Sequence, residues 1–155
     1  MQEEVTRKVL GEQLEHVRSV AASHEWQVDA DLDTLIVEVT MESPGDGEEY
    51  IVQFECEDYD DKPPLVEMVD PETGEVGTPH AYFDDGNGLI AHPNGPILCH
   101  RFNRRVYEED GIHNDWNDLA GWQRKAGNLT NLGDILVYIH RRLHTPHYEG
   151  RYEER

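Results

Sequence analysis

Residues 49–56, with the sequence EYIVQFEC, decide the fold of this chain. Apolar and polar side chains alternate along this stretch, which is the pattern of a β-strand with one buried face. Tyr50, Val52, Phe54 and Cys56 share that face. Because Cys56 continues the apolar pattern, we predict that its thiol is a structural part of the core.

The segments on either side of this strand predict an antiparallel meander. Before it come strands near residues 26–28 and 34–41, separated by turn residues at 31–33, and the turn 43–47 leads into the strand. After it, the Pro-Pro corner at 59–64 ends one element, because proline lacks an N–H donor. A fourth strand is predicted at 65–69.

Helical periodicity flanks the predicted sheet. Residues 2–23 repeat apolar side chains at spacings of three and four. The last helix begins near residues 128–131 with Asp134 in its first turn, carries a buried stripe over residues 132–143 and stops before Pro146. We therefore predict one α+β domain over residues 1–155.

Three stretches give weaker signals. Residues 75–90 are predicted to form an irregular surface excursion, and the charged tail 148–155 is expected to be ordered only in part. Trp116, Leu119 and Trp122 are predicted to share one short helix.

Composition limits the classes of partner. The chain has 155 residues, 33 acidic and 13 basic, with a net charge of −20. Phosphate binding needs a basic footprint, so we expect neither nucleic acid nor an anionic membrane as a partner. The acidity fits a basic partner or a high-salt cytoplasm, and composition leaves both open.

The cysteine count and the N-terminal residues indicate the compartment. Two cysteines, Cys56 and Cys99, do not make a disulfide framework. The first residues have no apolar core of the signal-peptide type, and no apolar run reaches the ~18 residues that span a membrane. We expect a cytoplasmic protein with reduced thiols.

Residues 91–100, with the sequence AHPNGPILCH, are the candidate active stretch. Its proline and glycine residues fix the backbone and hold Asn94 and Cys99 at defined positions. A thiol near an amide and imidazoles is a plausible nucleophile site, and the alternative is a turn followed by a buried structural cysteine. We expect His92 to order the turn.

The order of these motifs resembles the ubiquitin-conjugating (UBC) enzyme family. Residues 59–64 resemble the family's Tyr-Pro-x-x-Pro-Pro corner, and residues 92–94 its His-Pro-Asn motif. Residues 97–99 resemble the Ile-Cys-Leu run around the active cysteine. Trp116 resembles the tryptophan after the active site, and residues 132–143 the helix behind the sheet.

The resemblance spans about residues 26–146 and implies a UBC-like fold. The short gap from Asn94 to Cys99, His100 after the cysteine, the long segment 72–90 and the acidity resemble prokaryotic relatives. By analogy with relatives in antiphage operons, we expect a role in prokaryotic antiviral defence.

The resemblance implies acyl-transfer chemistry at Cys99. The thiol takes a protein C-terminus as a thioester from an adenylating (activating) enzyme and passes it to a target amine, usually lysine. The acyl group is the C-terminus of a ubiquitin-like modifier or of another activated protein. No cofactor and no metal is implied.

Four neighbours are candidates to assist Cys99. Asn94 is predicted to stabilise the oxyanion or to brace the loop. His113, followed by Asp115, is the candidate acid–base or orienting group, with a solvated loop histidine as the alternative. A protonated His100, or the nearby arginines, would lower the pKa of the thiol.

A rival constellation lies at the end of the last helix. His140 and His144 are four residues apart and His147 follows, a spacing that suits a metal ion. Arg141 and Arg142 follow the first histidine, and cations disfavour such a site. We therefore expect a polar helix end, where His and Arg complement the helix dipole.

Two function classes follow from the residues. The first is the cysteine acyl carrier, and the second is a catalytically inactive UBC-like protein-binding module. A metal-dependent hydrolase built on the histidines is a distant third. Cys99 stands in the expected place after Asn94, which favours the enzyme.

Overall fold

The computed structural model describes residues 2–86, 88–91, 95–108 and 119–152. The elements within these ranges are α1 (Glu3–His24), β1 (Gln27–Asp31), β2 (Ile36–Glu42), β3 (Glu49–Glu55), β4 (Leu65–Val69), a 3-10 turn (Pro79–Ala81), β5 (Ile90–Ala91), β6 (Ile97–Leu98), α2 (Arg104–Glu108), α3 (Trp122–Lys125) and α4 (Leu132–Leu143). The predicted α+β class is confirmed. It is built from an N-terminal helix, a four-stranded antiparallel sheet and C-terminal helices.

The predicted meander is present as a sheet in the order β1-β2-β3-β4. The first strand is longer than predicted, because Asp31 still pairs with Ile36 in the ladder. The Asp31 carboxylate also accepts the N–H of Asp33 at 2.9 Å. The turn therefore starts one residue later than the sequence indicated. Leu35 closes that turn in a left-handed conformation with φ of 60°.

The alternation predicted for the third strand places its apolar face in the core. Tyr50, Val52, Phe54 and Cys56 are all 0% exposed. Burial raises the pKa of the Cys56 thiol to about 12, so this group stays protonated at neutral pH. The structural role predicted for Cys56 agrees with this environment.

The two long helices lie against each other and share one core with the sheet. Helix α1 matches the predicted range 2–23 to within one residue at each end. Gly133 of α4 permits a close approach, because a Cβ there would lie 2.5 Å from Cδ2 of His16. Asn131 caps α4 by accepting the N–H of Asp134 at 2.9 Å.

The segment 75–90, predicted as an irregular surface excursion, is exposed or half-buried over residues 75–80, but residues 81–83 enter the core. Ala81, Tyr82 and Phe83 are 0% exposed. The chain end supplies the backbone partner that this segment needs. Tyr152 donates to the carbonyl of Tyr82 at 2.9 Å, and Asp84 donates to that of Gly150 at 2.9 Å. The sequence prediction was wrong for residues 81–83 because the tail that pairs with them is remote along the chain.

The tail is correspondingly held through residue 152. The hydroxyl of Tyr148 lies 2.8 Å from that of Tyr50 and donates to Oδ2 of Asp46 at 2.8 Å. The guanidinium of Arg151 stacks 4.5 Å from the centre of the Tyr50 ring and pairs with Glu48 at 3.2 Å. Aromatic and ionic contacts with the sheet therefore order a stretch that looked merely charged.

The predicted helix with Leu119 and Trp122 is also wrong. Helix α3 begins only at Trp122, because Gly121 before it is left-handed with φ of 68°. Trp116 lies outside the described residues. Trp122 is fully buried, and its Nε1 donates to the carbonyl of Asp60 at 2.8 Å. The tryptophan thus braces the corner that precedes β4.

Among the described residues, no helix combines the length and apolar character needed to cross a membrane.

Candidate active site around Cys99

Cys99 directly follows the short ribbon formed by β5 and β6. In this ribbon Ile90 pairs with Leu98, and the N–H of Cys99 donates to the carbonyl of Leu89 at 2.7 Å. The backbone at the thiol is therefore fixed. Cys99 is half-buried, whereas Cys56 is fully buried, so Cys99 is the more accessible of the two thiols.

Asn103 is a buried clip that joins the ribbon to the main sheet. Its side chain is 0% exposed, and Nδ2 donates to the carbonyls of Leu98 and Val66 at 2.9 and 3.1 Å. Its Oδ1 accepts the N–H groups of Val66 and Arg105 at 2.9 and 3.1 Å. One amide thus holds β6, β4 and the start of α2 together.

Sequence reasoning missed Asn103, although a local signal was present. Asparagine is a preferred N-cap residue, and Asn103 directly precedes helix α2. The bond from Arg105 to Oδ1 is the capping contact. The bonds to β4 and β6 carry no local signal, because Val66 is remote from Asn103 in sequence.

A second set of contacts connects helix α4 to the Cys99 backbone. Arg142 stands 3.8 Å from the buried carboxylate of Asp85 and donates to the hydroxyl of Tyr138 at 2.6 Å. Asp85 accepts the N–H of Leu89 at 3.3 Å, and Leu89 in turn accepts from Cys99. The ion pair therefore positions Leu89, the residue before β5 whose carbonyl accepts the Cys99 N–H.

His100 lies in an aromatic cluster. Its ring stacks on Phe102 with centres 4.4 Å apart and lies 5.1 Å from the ring of Tyr138. Its Nδ1 accepts the N–H of Phe102 at 3.2 Å. Burial, followed by the charges of Arg142 and Arg101, lowers the pKa of His100 to about 4.

The expected activation of the thiol by His100 is therefore wrong. With a pKa of about 4, His100 is neutral at pH 7 and supplies no positive charge to stabilise a thiolate. Burial raises the pKa of Cys99 above its ordinary value. At neutral pH the group is a thiol, and its nucleophilicity depends on a base.

The depressed pKa of His100 predicts a pH dependence of stability. An unfolded histidine binds a proton below pH ~6.5, whereas folded His100 does so only near pH 4. The unfolded state therefore binds more protons in this window, and His100 lowers the free energy of unfolding as the pH falls from 7 to 5. After allowance for solvent at this half-buried ring, we expect a loss of about 1 kcal/mol.

Urea unfolding of the wild type and of His100→Gln at pH 7 and pH 5 measures this contribution. The pH 7 to pH 5 loss should be about 1 kcal/mol smaller in the variant. Comparing each protein with itself removes the packing cost of the substitution. An equal loss in both proteins would show that His100 titrates normally in the folded state.

The remaining predicted site residues lie outside the described residues. These are Asn94, His113 and Asp115, together with His92 of the turn. Their predicted roles stay predictions.

The histidines of the last helix are only partly brought together. Nε2 of His140 and Nε2 of His144 are 3.1 Å apart, and both side chains belong to the end of α4. His147 lies elsewhere, with its carbonyl against Gly86, where an added Cβ would approach it to 2.7 Å. The histidine that lies beside His140 is His24 at the end of α1, and their ring centres are 5.2 Å apart.

Comparison with protein-family models and with curated proteins gives no match for this chain.

Proposed function

We propose that this chain is a ubiquitin-conjugating-like acyl carrier whose Cys99 holds a protein C-terminus as a thioester. One observation supports this most directly: a half-buried thiol follows a fixed ribbon, while the other cysteine is sealed in the core. A covalent carrier needs a nucleophile that is accessible and held in place. Cys99 meets both conditions.

The reaction is a pair of acyl transfers. The partner presents a C-terminus as a thioester, and the Cys99 sulfur attacks its carbonyl carbon while losing its proton to a base. The bond to the partner's sulfur breaks, and that thiol leaves with a proton. A target amine then attacks the Cys99 thioester, forms an amide and releases the Cys99 thiol.

The raised pKa of Cys99 affects both transfers. A thiol of high pKa is a poorer leaving group, so its thioester reacts more slowly with water and with an amine alike, and the second transfer depends on a well-positioned amine. The same feature slows loading, because little thiolate is present at neutral pH. The adenylating enzyme, which consumes ATP to activate the C-terminus, supplies the driving force for loading.

The alternative is a UBC-like module that binds a protein partner without chemistry. It is favoured by the same raised pKa and by the neutral His100, since neither prepares Cys99 for attack. The two functions differ in one measurable product, a thiol-labile adduct.

A loading assay tests the acyl carrier. Wild type, Cys99→Ser and Cys56→Ser are incubated with ATP, the activating enzyme and the modifier encoded in the same genomic neighbourhood. Intact mass is recorded before and after thiol treatment. We expect a thiol-labile adduct on wild type and on Cys56→Ser, and on Cys99→Ser either a stable ester or no adduct.

The Cys56→Ser variant is the matched control, because it removes a thiol that the solvent does not reach. Absence of an adduct on every folded variant, with an activating enzyme that forms its own thioester, would favour the binding module. A thiol-labile adduct that forms on Cys99→Ser and not on Cys56→Ser would show that Cys56 is the nucleophile, and it would overturn the proposed role of Cys99.

A further inference from the structure

A cleft with three histidines lies where the C-terminal ends of α1 and α4 meet. It has a volume of about 300 Å³, and His24, His140 and His144 line it together with Trp26. The ring of His24 stacks on Trp26 at 4.5 Å, and that of His140 meets Trp26 edge-on at 5.0 Å. Trp26 thus contacts one imidazole from each helix.

The two imidazoles of α4 already stand at a chelating distance. Their Nε2 atoms are 3.1 Å apart, on residues one helical turn from each other. Two imidazole nitrogens bound to one Zn²⁺ at about 2.0–2.1 Å lie about 2.8–3.4 Å apart for bond angles between 90° and the tetrahedral value. The contact is itself a hydrogen bond in which one Nε2 donates to the other, so the donor ring must carry its hydrogen on Nδ1 when both Nε2 atoms bind a metal ion.

The third imidazole, that of His24, has the tautomer that a metal ligand needs. Nδ1 of His24 lies 2.9 Å from the carbonyl of Val20, and a carbonyl only accepts, so Nδ1 carries the hydrogen. Nε2 of His24 then keeps its lone pair. A backbone carbonyl on the far nitrogen is the usual second-shell partner of a metal-bound histidine.

The charges around the cleft attract a cation. Glu25 and Glu42 line it, whereas the arginines that disfavoured a metal in the sequence point elsewhere. Arg142 pairs with Asp85, and Arg141 lines a separate cleft with Asn128. The sequence-based objection to a metal at these histidines therefore does not hold in the folded chain.

We propose that His140 and His144 chelate a divalent transition-metal ion, with His24 as the third ligand linking α1 to α4. Within the described residues, no three His, Cys, Asp or Glu side chains already stand at metal-binding positions. The exposed side chain of His24 therefore shifts to reach the ion, and water completes the coordination. Imidazole ligands select ions of the Zn²⁺, Ni²⁺ and Cu²⁺ class.

Calorimetric titration of untagged protein with Zn²⁺ at pH 7.5 tests the site. The variants are His144→Asn and His24→Asn, and His147→Asn is the matched control because His147 is exposed and lies outside the cleft. We expect one Zn²⁺ per wild-type chain and the same affinity in the control. Since second-shell partners alone change metal affinity about 10–100-fold, each ligand variant should bind at least about tenfold more weakly.

Thermal unfolding with and without Zn²⁺ provides the second readout. A metal that joins two helices stabilises the folded state, so the Tm of wild type and of the control should rise on adding Zn²⁺. Equal affinity in wild type and His144→Asn, or no binding by wild type, would overturn the site. An unchanged affinity in His24→Asn would overturn the link to α1.

Discussion

Replacing Asn103 with alanine should lower the free energy of unfolding by about 3–5 kcal/mol. The side chain is fully buried and makes four hydrogen bonds, two from its amide nitrogen and two to its oxygen. Alanine leaves the N–H and C=O of Val66, the C=O of Leu98 and the N–H of Arg105 without these partners. Each buried group left unsatisfied costs about 1–3 kcal/mol, reduced where water or a small shift compensates.

Urea unfolding at neutral pH measures this loss, with Asn131→Ala as the matched control. Asn131 caps α4 by accepting the N–H of Asp134, and its Nδ2 donates to Oδ2 of the same residue at 2.8 Å. Both bonds are partly exposed to water, so its replacement should cost only about 1 kcal/mol. Amide exchange at Val66 and Arg105 should accelerate in Asn103→Ala and stay unchanged in the control. If both variants lost the same stability, Asn103 would be an ordinary cap and not the clip between β4 and β6.

The two thiols should differ at least about a hundredfold in their rate of alkylation in the folded protein. Cys56 is 0% exposed and its pKa is raised to about 12, whereas Cys99 is half-buried. Intact mass after treatment with iodoacetamide should show one rapid adduct in wild type. The second adduct should form only after unfolding by denaturant.

The variants and the pH profile assign the reactive thiol. Cys99→Ser should show no rapid adduct, and Cys56→Ser should react like wild type. Because burial raises the pKa of Cys99, its rate should climb about tenfold per pH unit from pH 7 to pH 8 without levelling off. A plateau near neutral pH would show a stabilised thiolate and would contradict the raised pKa.

Loss of the rapid adduct in Cys56→Ser, with its retention in Cys99→Ser, would reverse the assignment. That result would also remove the basis of the proposed acyl carrier. The alkylation experiment needs no partner protein, so it separates a mistaken nucleophile from a mistaken choice of activating enzyme.

Burial is the main cause of both pKa shifts at the candidate site, the lowered pKa of His100 and the raised pKa of Cys99. His100 is stacked on Phe102 beside Arg142, and Cys99 follows strand β6, which Asn103 holds. Adjacent residues in the sequence suggested an activating His–Cys pair. The fold instead buries the imidazole and leaves it neutral.

Local periodicity determined the parts of the fold that depend on near neighbours in the chain. The alternation over residues 49–56 predicted the buried face of β3, and the spacing of apolar residues predicted α1 almost to its ends. Residues 128–131 before a helical pattern predicted the start of α4, where the structure places Asn131 as the N-cap. In each case, residues within a few positions of one another settle the local structure.

Tertiary structure alone decided the contacts between remote segments. The tail pairs with Tyr82, Asn103 clips Val66, and His24 joins His140, although nothing in the intervening sequence marks these pairs. Contacts of this kind follow from where the helices and strands pack, which no local repeat encodes. The charge state of His100 was decided in the same way, because burial and Arg142 outweigh its position beside Cys99.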